Sequence, residues 1–139
     1  MGVLIDSTLL IDAERSSEPV PDLLRRFGVK EDEEAYIAAM TATEILQGAS
    51  RIAEKAKRRR TEAFVESVLG MFEVLPFDLI VARFHAQLVT ELWRLGKPKP
   101  IMDVLIAATA LANGLDVATR DRRSFPDNPG VLVRPHAPA

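Results

Sequence analysis

PIMDVLIAATALANGLDVATRDRRSF, residues 100–125, decides the fold. The run MDVLIAATALANG is an alanine-rich helix closed by the Asn113-Gly114 pair. DVATRD follows at once as a short strand. A helix leading directly into a strand is half of a crossover unit. The other end of the chain has the mirror arrangement, because MGVLID is a short apolar run ending in a carboxylate, and STLLIDAER carries Leu9, Leu10 and Ala13 at helical spacing. Strand, turn and helix are the expectation there.

Between these ends the alternation continues. PVPDLLRRFG has Leu23, Leu24 and Phe27 on one stripe and Gly28 as its stop, a short second helix. AYIAAM suits a buried strand, after which a helix is expected from Thr41. From Arg51 to Met71 apolar residues are interleaved with heavy charge, and the spacing predicts one long solvated helix. EVLPF reads as a third strand closed by Pro76, and DLIVARFHAQLVTELWRLG as a helix ended by Gly96. KPKP, residues 97–100, is a linker, and VLV near the end is a last strand. Strands alternating with helices require crossovers, so a three-layer α/β/α domain with a central parallel sheet is expected. No internal repeat or boundary divides it, and residues 1–139 are expected to form a single domain.

Composition limits the chemistry. Eighteen Lys and Arg against twenty Asp and Glu give a net charge of -2, which excludes a grip on nucleic acid through bulk positive charge. With no cysteine there is no disulfide, thiolate metal site or thiol nucleophile. There is no basic start followed by a long apolar stretch, and the longest apolar run, near Ile101 to Leu111, is broken by Asp103 and Thr109. A cytoplasmic location and no membrane span are the expectation.

In an open parallel sheet, functional side chains gather beyond the carboxyl ends of the strands. Acids stand at those places. Asp6 ends the first strand, Asp121 follows ATR after the fourth, Asp103 opens the alanine-rich helix, and Glu44 lies one turn into the helix after the second strand. Four carboxylates converging on one edge would repel one another unless a cation neutralises them. Hard oxygen ligands favour Mg²⁺, with Mn²⁺ fitting the same site. Such an ion can activate a water and stabilise a phosphodiester under in-line attack. Each acid also has a plainer role open to it: Thr41-x-x-Glu44 has the form of a capping box, Asp103 of a helix N-cap, and Asp121 of a turn residue. Asp6, directly after Val3, Leu4 and Ile5, would be partly buried and needs a partner. Asp12 reads as solvated or supporting.

The order and surroundings of these acids resemble the PIN-domain ribonucleases, in particular the VapC-type toxins of bacterial toxin–antitoxin pairs, over essentially the whole chain. VLIDSTLLID is similar to the opening pattern D-[ST]-[SN]-x-L-I, which maps Asp6 onto the first metal-binding acid and Ser7 onto the neighbouring hydroxyl. TATEILQGA resembles the segment holding the second acid, Glu44. The stretch from residue 100 resembles D-x-x-I-A-A-x-A followed by T-x-[ND]-x-x-[DH]-F, which maps Asp103 and Asp121 onto the third and fourth acids and Thr119 onto the hydroxyl beside them. Ser124 stands before Phe125 where many relatives carry another acid, so the fourth corner rests on Asp121 alone. The resemblance implies a Mg²⁺-dependent endoribonuclease held in check by a VapB-type antitoxin; the alternative is a catalytically silent PIN-like interaction module.

Other sites fail on residue type. Neither G-x-x-x-x-G-K-[ST] nor G-x-G-x-x-G occurs, and His85 and His136 are too few and too far apart for a histidine metal site. Lys97, Lys99, Arg120, Arg122 and Arg123 flank the acids and are expected to contact RNA phosphates. Six of the ten positions from Arg51 to Arg60 are basic, which fits either a solvated helix face or a second contact. The helices around Leu23, Phe27, Ile52 and Val65 carry apolar surface beyond what one sheet needs, and a homodimer is expected.

Overall fold

The computed structural model describes residues 2–121 and 128–134. Five strands form one parallel sheet in the order β3-β2-β1-β4-β5. These are β1 (Gly2–Ile5), β2 (Glu34–Ala38), β3 (Glu73–Leu75), β4 (Asp116–Ala118) and β5 (Val133–Arg134). The helices are α1 (Ser7–Ser16), α2 (Val20–Arg26), α3 (Ala39–Ser50), α4 (Lys55–Met71), α5 (Leu79–Arg94) and α6 (Ile101–Ala112). The expected α/β/α architecture with a central parallel sheet is the one observed.

Strand β1 is central and buried at every position, as its uninterrupted apolar run requires of a parallel strand covered on both faces. Its alternating side chains divide the core in two. Val3 and Ile5 pack with Leu9, Leu10, Leu23, Ile45, Val65 and Val68 from α1 to α4. Leu4 faces the other way, onto Leu88, Leu92, Val104, Ile106 and Val117, so α5 and α6 cover the second face. Leu23 and Val65 are therefore core residues, 1% and 2% exposed, and supply no surplus surface for a dimer. Phe27 also packs against the core, at its partly buried margin.

Two sequence readings need correction. The helix after β2 starts at Ala39 rather than Thr41, with Ala38 as its N-cap. Thr41 is thus a buried residue inside α3, and the capping-box role for Glu44 is excluded. The stretch from Arg51 to Met71 is not one helix: α3 ends at Ser50, Arg51 and Ile52 close its last turn onto Gln47 and Ala49, and α4 begins at Lys55. The Arg58 guanidinium donates to the Ile52 carbonyl and holds the corner.

A buried ion cluster closes the other edge of the sheet. From β5, Arg134 donates through Nε to Asp116 Oδ2 at 2.9 Å, and through Nη1 to the Gly28 carbonyl at 3.1 Å and to Glu33. All three charged side chains are about nine-tenths buried. They tie the two-residue strand β5 to β4 and to the loop before β2. The cluster keeps Glu33 ionised, because the Arg134 hydrogen bond holds its carboxyl below the ordinary carboxylate value against the opposing effect of burial.

Candidate metal centre

The strand order changes direction between β1 and β4, since β2 and β3 lie on one side of β1 while β4 and β5 lie on the other. In an open parallel sheet that reversal leaves a crevice beyond the carboxyl ends of the two strands. Asp6 follows β1 and Thr119, Arg120 and Asp121 follow β4, so the crevice is lined from both sides by the predicted residues. Helix α3 departs from the same edge directly after β2 and brings Glu44 in its second turn. Helix α6 precedes β4 and runs back along the sheet, which puts its first turn, with Asp103, at that edge too. Pro100 is the N-cap of α6, so Asp103 is not a capping residue.

Asp6 is 3% exposed and held by two hydroxyls on one oxygen. Thr8 Oγ1 donates to its Oδ2 at 2.9 Å and Thr119 Oγ1 to the same atom at 2.8 Å. Each hydroxyl in turn accepts a backbone N–H, Thr8 from Arg120 at 3.1 Å and Thr119 from Asp121 at 2.9 Å. The Asp6 backbone N–H also reaches the Ala118 carbonyl at 2.9 Å. The turn after β4 is therefore locked to the end of β1, and the carboxylate is fixed in orientation by charge-assisted bonds. Thr119 was legible in the sequence as the hydroxyl beside the fourth acid; Thr8 was not. A hydroxyl two residues after an acid at a helix start is the local signal that could have found it.

Glu44 feels the charges of Asp6 and Asp103. Burial pushes the Glu44 carboxyl above its ordinary value, the negative charges of Asp6 and then Asp103 add to that, and a hydrogen bond from Ser7 pulls the other way. Despite Ser7, Glu44 Oε1 is buried with no hydrogen-bond partner among the described residues. A half-buried carboxylate beside two others, with one oxygen unsolvated, is in an unfavourable state unless a positive charge joins it. Among the described residues no three His, Asp or Glu side chains stand close enough to make a ready-made cage. The donors on offer are carboxylate oxygens, the ligand type of hard cations such as Mg²⁺, which takes only one or two carboxylates directly.

The remaining expected contacts are placed as follows. Asp121 is half-buried at the turn after β4. Arg120 pairs through its guanidinium with Asp12 of α1, so Asp12 supports this edge from outside. Lys97 is exposed and Lys99 half-buried in the linker before α6. Arg122, Arg123, Ser124, Phe125 and His136 lie outside the described residues.

Comparison with known proteins joins this geometry to a family. The PIN domain model matches residues 3–130. The chain belongs to the PIN-domain family. Within it the chain falls among the VapC-type toxins, being 30% identical over 133 residues to Ribonuclease VapC1 of Rickettsia felis, with 96% of this chain and 95% of the relative covered. It is also 38% identical over 96 residues to Toxin FitB of Neisseria gonorrhoeae, spanning 67% of this chain and 69% of that one. Among solved structures, DNA-bound VapBC from Salmonella typhimurium superposes with a TM-score of 0.83 at 27% identity, covering 96% of both chains. As a PIN domain, the chain has its acid crevice where the sheet topology directs any ligand.

Proposed function

We propose that this PIN domain is a Mg²⁺-dependent endoribonuclease and the toxin of a toxin–antitoxin pair, working through Asp6, Glu44, Asp103 and Asp121. The observation that carries the reading is the charge of Asp6 and Asp103 bearing on Glu44, whose buried Oε1 has no hydrogen-bond partner among the described residues. The donor set is all oxygen, which favours Mg²⁺ or Mn²⁺ over zinc. When bound there, such an ion would make a bound water more acidic than bulk water and supply positive charge for the phosphodiester oxygens. The chain's own part is positional. Thr8 and Thr119 fix Asp6 through Oδ2 and so orient the carboxylate that would hold the ion. Ser7 steadies Glu44. Asp121, carried on the turn that Thr119 locks, completes the fourth corner. Lys97 and Lys99 in the linker before Asp103, Arg120 once released from Asp12, and Arg122 two positions further along the sequence are the side chains proposed to position RNA phosphates.

The partner reading rests on a groove of about 270 Å³ between α1, α3 and α4. Ile11, Ile45, Ile52 and Phe64 make it apolar and Glu44 stands at its border. A VapB-type antitoxin segment laid there can present an Arg or Lys to the acids. A homodimer is supported by α5 rather than by the helices named from sequence, because Leu79, Ile80 and Trp93 are 67%, 60% and 71% exposed.

RNA cleavage assays test the activity. Cleavage is expected with Mg²⁺ or Mn²⁺, to stop with EDTA, and to be lost in Asp6→Asn, Asp103→Asn and Asp121→Asn while the far-UV spectrum stays folded. Cleavage that continues undiminished in chelator would refute the metal mechanism. Absence of cleavage with either ion would favour the silent interaction module.

A further inference from the structure

We propose that the basic collar at the start of α4, formed by Lys55, Lys57, Arg59 and Arg60, is a second contact surface for the RNA backbone, outside the acid crevice. The inference rests on the reading of the crevice as an RNA-cleaving site.

The collar is charge the fold leaves uncompensated. All four side chains are exposed or only partly covered, and among the described residues none of them forms an ion pair. Arg58, the remaining base in this run, is committed to the Ile52 carbonyl and to Glu62 at 3.7 Å. The first turn of α4 contains no acid, and Glu54 makes no side-chain cap. Lys55 and Lys57 stand in that first turn, where a cation opposes the helix dipole. The dipole therefore gives the helix start no reason to carry them.

Topology sets the collar on the same side of the sheet as the acids. Helix α4 leads into β3, which runs parallel to β2, so Met71 lies at the amino edge of the sheet. At about 1.5 Å per residue, the 17 residues of α4 carry its start about 25 Å back. A strand of five residues such as β2 spans only about 17 Å. The start of α4 thus stands level with or beyond the carboxyl edge where α3 departs. The groove gives the same result independently, because Glu44 and Lys57 line it together, with Arg15 of α1 on the same wall.

The distribution of charge selects the partner. At 100° per residue, positions 55, 57, 59 and 60 point in different directions around the helix rather than along one stripe. An acidic helix lying in a groove would meet one stripe only. A flexible polyphosphate passing over the crevice and around the corner can meet all of them, and such contacts fix position without reading sequence.

The test is the variant Lys55→Gln/Lys57→Gln/Arg59→Gln/Arg60→Gln, which touches no buried group and removes charge that opposes the helix dipole. RNA binding is measured by anisotropy over a range of salt in an Asp103→Asn background, using a stem-loop RNA. Affinity for the stem-loop is expected to fall about tenfold or more at moderate salt, and the salt slope to flatten by about 0.7 for each single-strand phosphate that the variant leaves unneutralised. In the chain with Asp103 intact, KM for the stem-loop should rise with kcat unchanged. A short oligonucleotide that cannot span from the crevice to the collar should be cut as before. Unchanged affinity, slope and KM would overturn the proposal, as would weakened antitoxin binding with RNA binding intact, which would give the collar to an acidic protein segment. The anisotropy arm needs no cleavage, so an uncut RNA overturns the nuclease reading alone, and a salt-dependent loss of binding still supports the collar.

Discussion

Replacing Thr119 by valine keeps the shape of a fully buried side chain and removes one hydroxyl. That hydroxyl donates to the Asp6 carboxylate at 2.8 Å and accepts the Asp121 N–H at 2.9 Å. A hydrogen bond to a charged group contributes about 1.5–3 kcal/mol and a neutral one about 1 kcal/mol. The expected loss is therefore about 2–4 kcal/mol at neutral pH without metal. For a chain of this length that lowers Tm by about 3 °C per kcal/mol. Trp93, the single tryptophan, is 71% exposed and reports poorly on the core, so urea unfolding is best followed by far-UV circular dichroism. The decisive measurement is the double-mutant cycle with Asp6→Ala, where a coupling of about 1.5–3 kcal/mol is expected. Thr119→Ser should recover most of the loss. In metal titrations followed by Tm, Thr119→Val should need more Mg²⁺ for half its stabilisation, because Asp6 is no longer oriented. If the cycle closes to within about 0.5 kcal/mol, the hydroxyl does not hold the carboxylate and the reasoning fails.

Glu44→Gln should raise stability without metal at neutral pH, since it removes a repelling charge, and should reduce the Tm gained on adding Mg²⁺; a less stable variant with an undiminished Mg²⁺ response would refute this. Arg134→Met leaves Asp116 and Glu33 buried without their cation and should cost about 3–5 kcal/mol by denaturant unfolding. Because the folded carboxyl of Glu33 titrates below its ordinary 4.5, the stabilisation is complete above that pH and drains away as acid protonates it. The gap between wild type and Arg134→Met should accordingly narrow in acid, and a gap that widens would contradict the assignment. Thr8→Val should lower Mg²⁺ affinity in the same sense as Thr119→Val, with Thr8→Ser restoring it, as read by calorimetric titration of metal.

What the sequence made legible was whatever a single element carries within itself. An acid straight after three apolar residues announces a strand entering a polar edge, and Asp6 is found there. Asp103 and Asp121 were placed by a helix-to-strand unit whose boundaries are set by Asn113-Gly114. What stayed hidden depends on pairing across the chain. Thr8 acquires its role only because Thr119, 111 residues away, comes within 3.2 Å of it. The Arg134, Asp116 and Glu33 cluster is likewise assembled from three segments whose local sequence is ordinary. Thr41 and Glu44 match a capping box in spacing, yet β2 feeds α3 so directly that the helix starts before the threonine. Leu23 and Val65 read as spare apolar surface because the mutual packing of α2, α3 and α4 over one sheet face is a tertiary fact.

The charge of -2 conceals a spatial division. At one sheet edge the charges of Asp6 and Asp103 bear on Glu44, and an edge of that charge would repel a phosphate. Among the described residues, cations that could hold a polyanion stand at the start of α4 and in the linker before α6. Arg120, next to Asp121 in sequence, is engaged by Asp12. Were it to fold into the crevice instead, it would neutralise the carboxylates and compete with any divalent ion. The Arg120–Asp12 pair directs that guanidinium toward α1, and under the proposed function the charge for the acid edge comes from a metal ion or from the basic side chain of a partner. On that reading activity and inhibition depend on the same carboxylates, and which cation reaches them decides between the two.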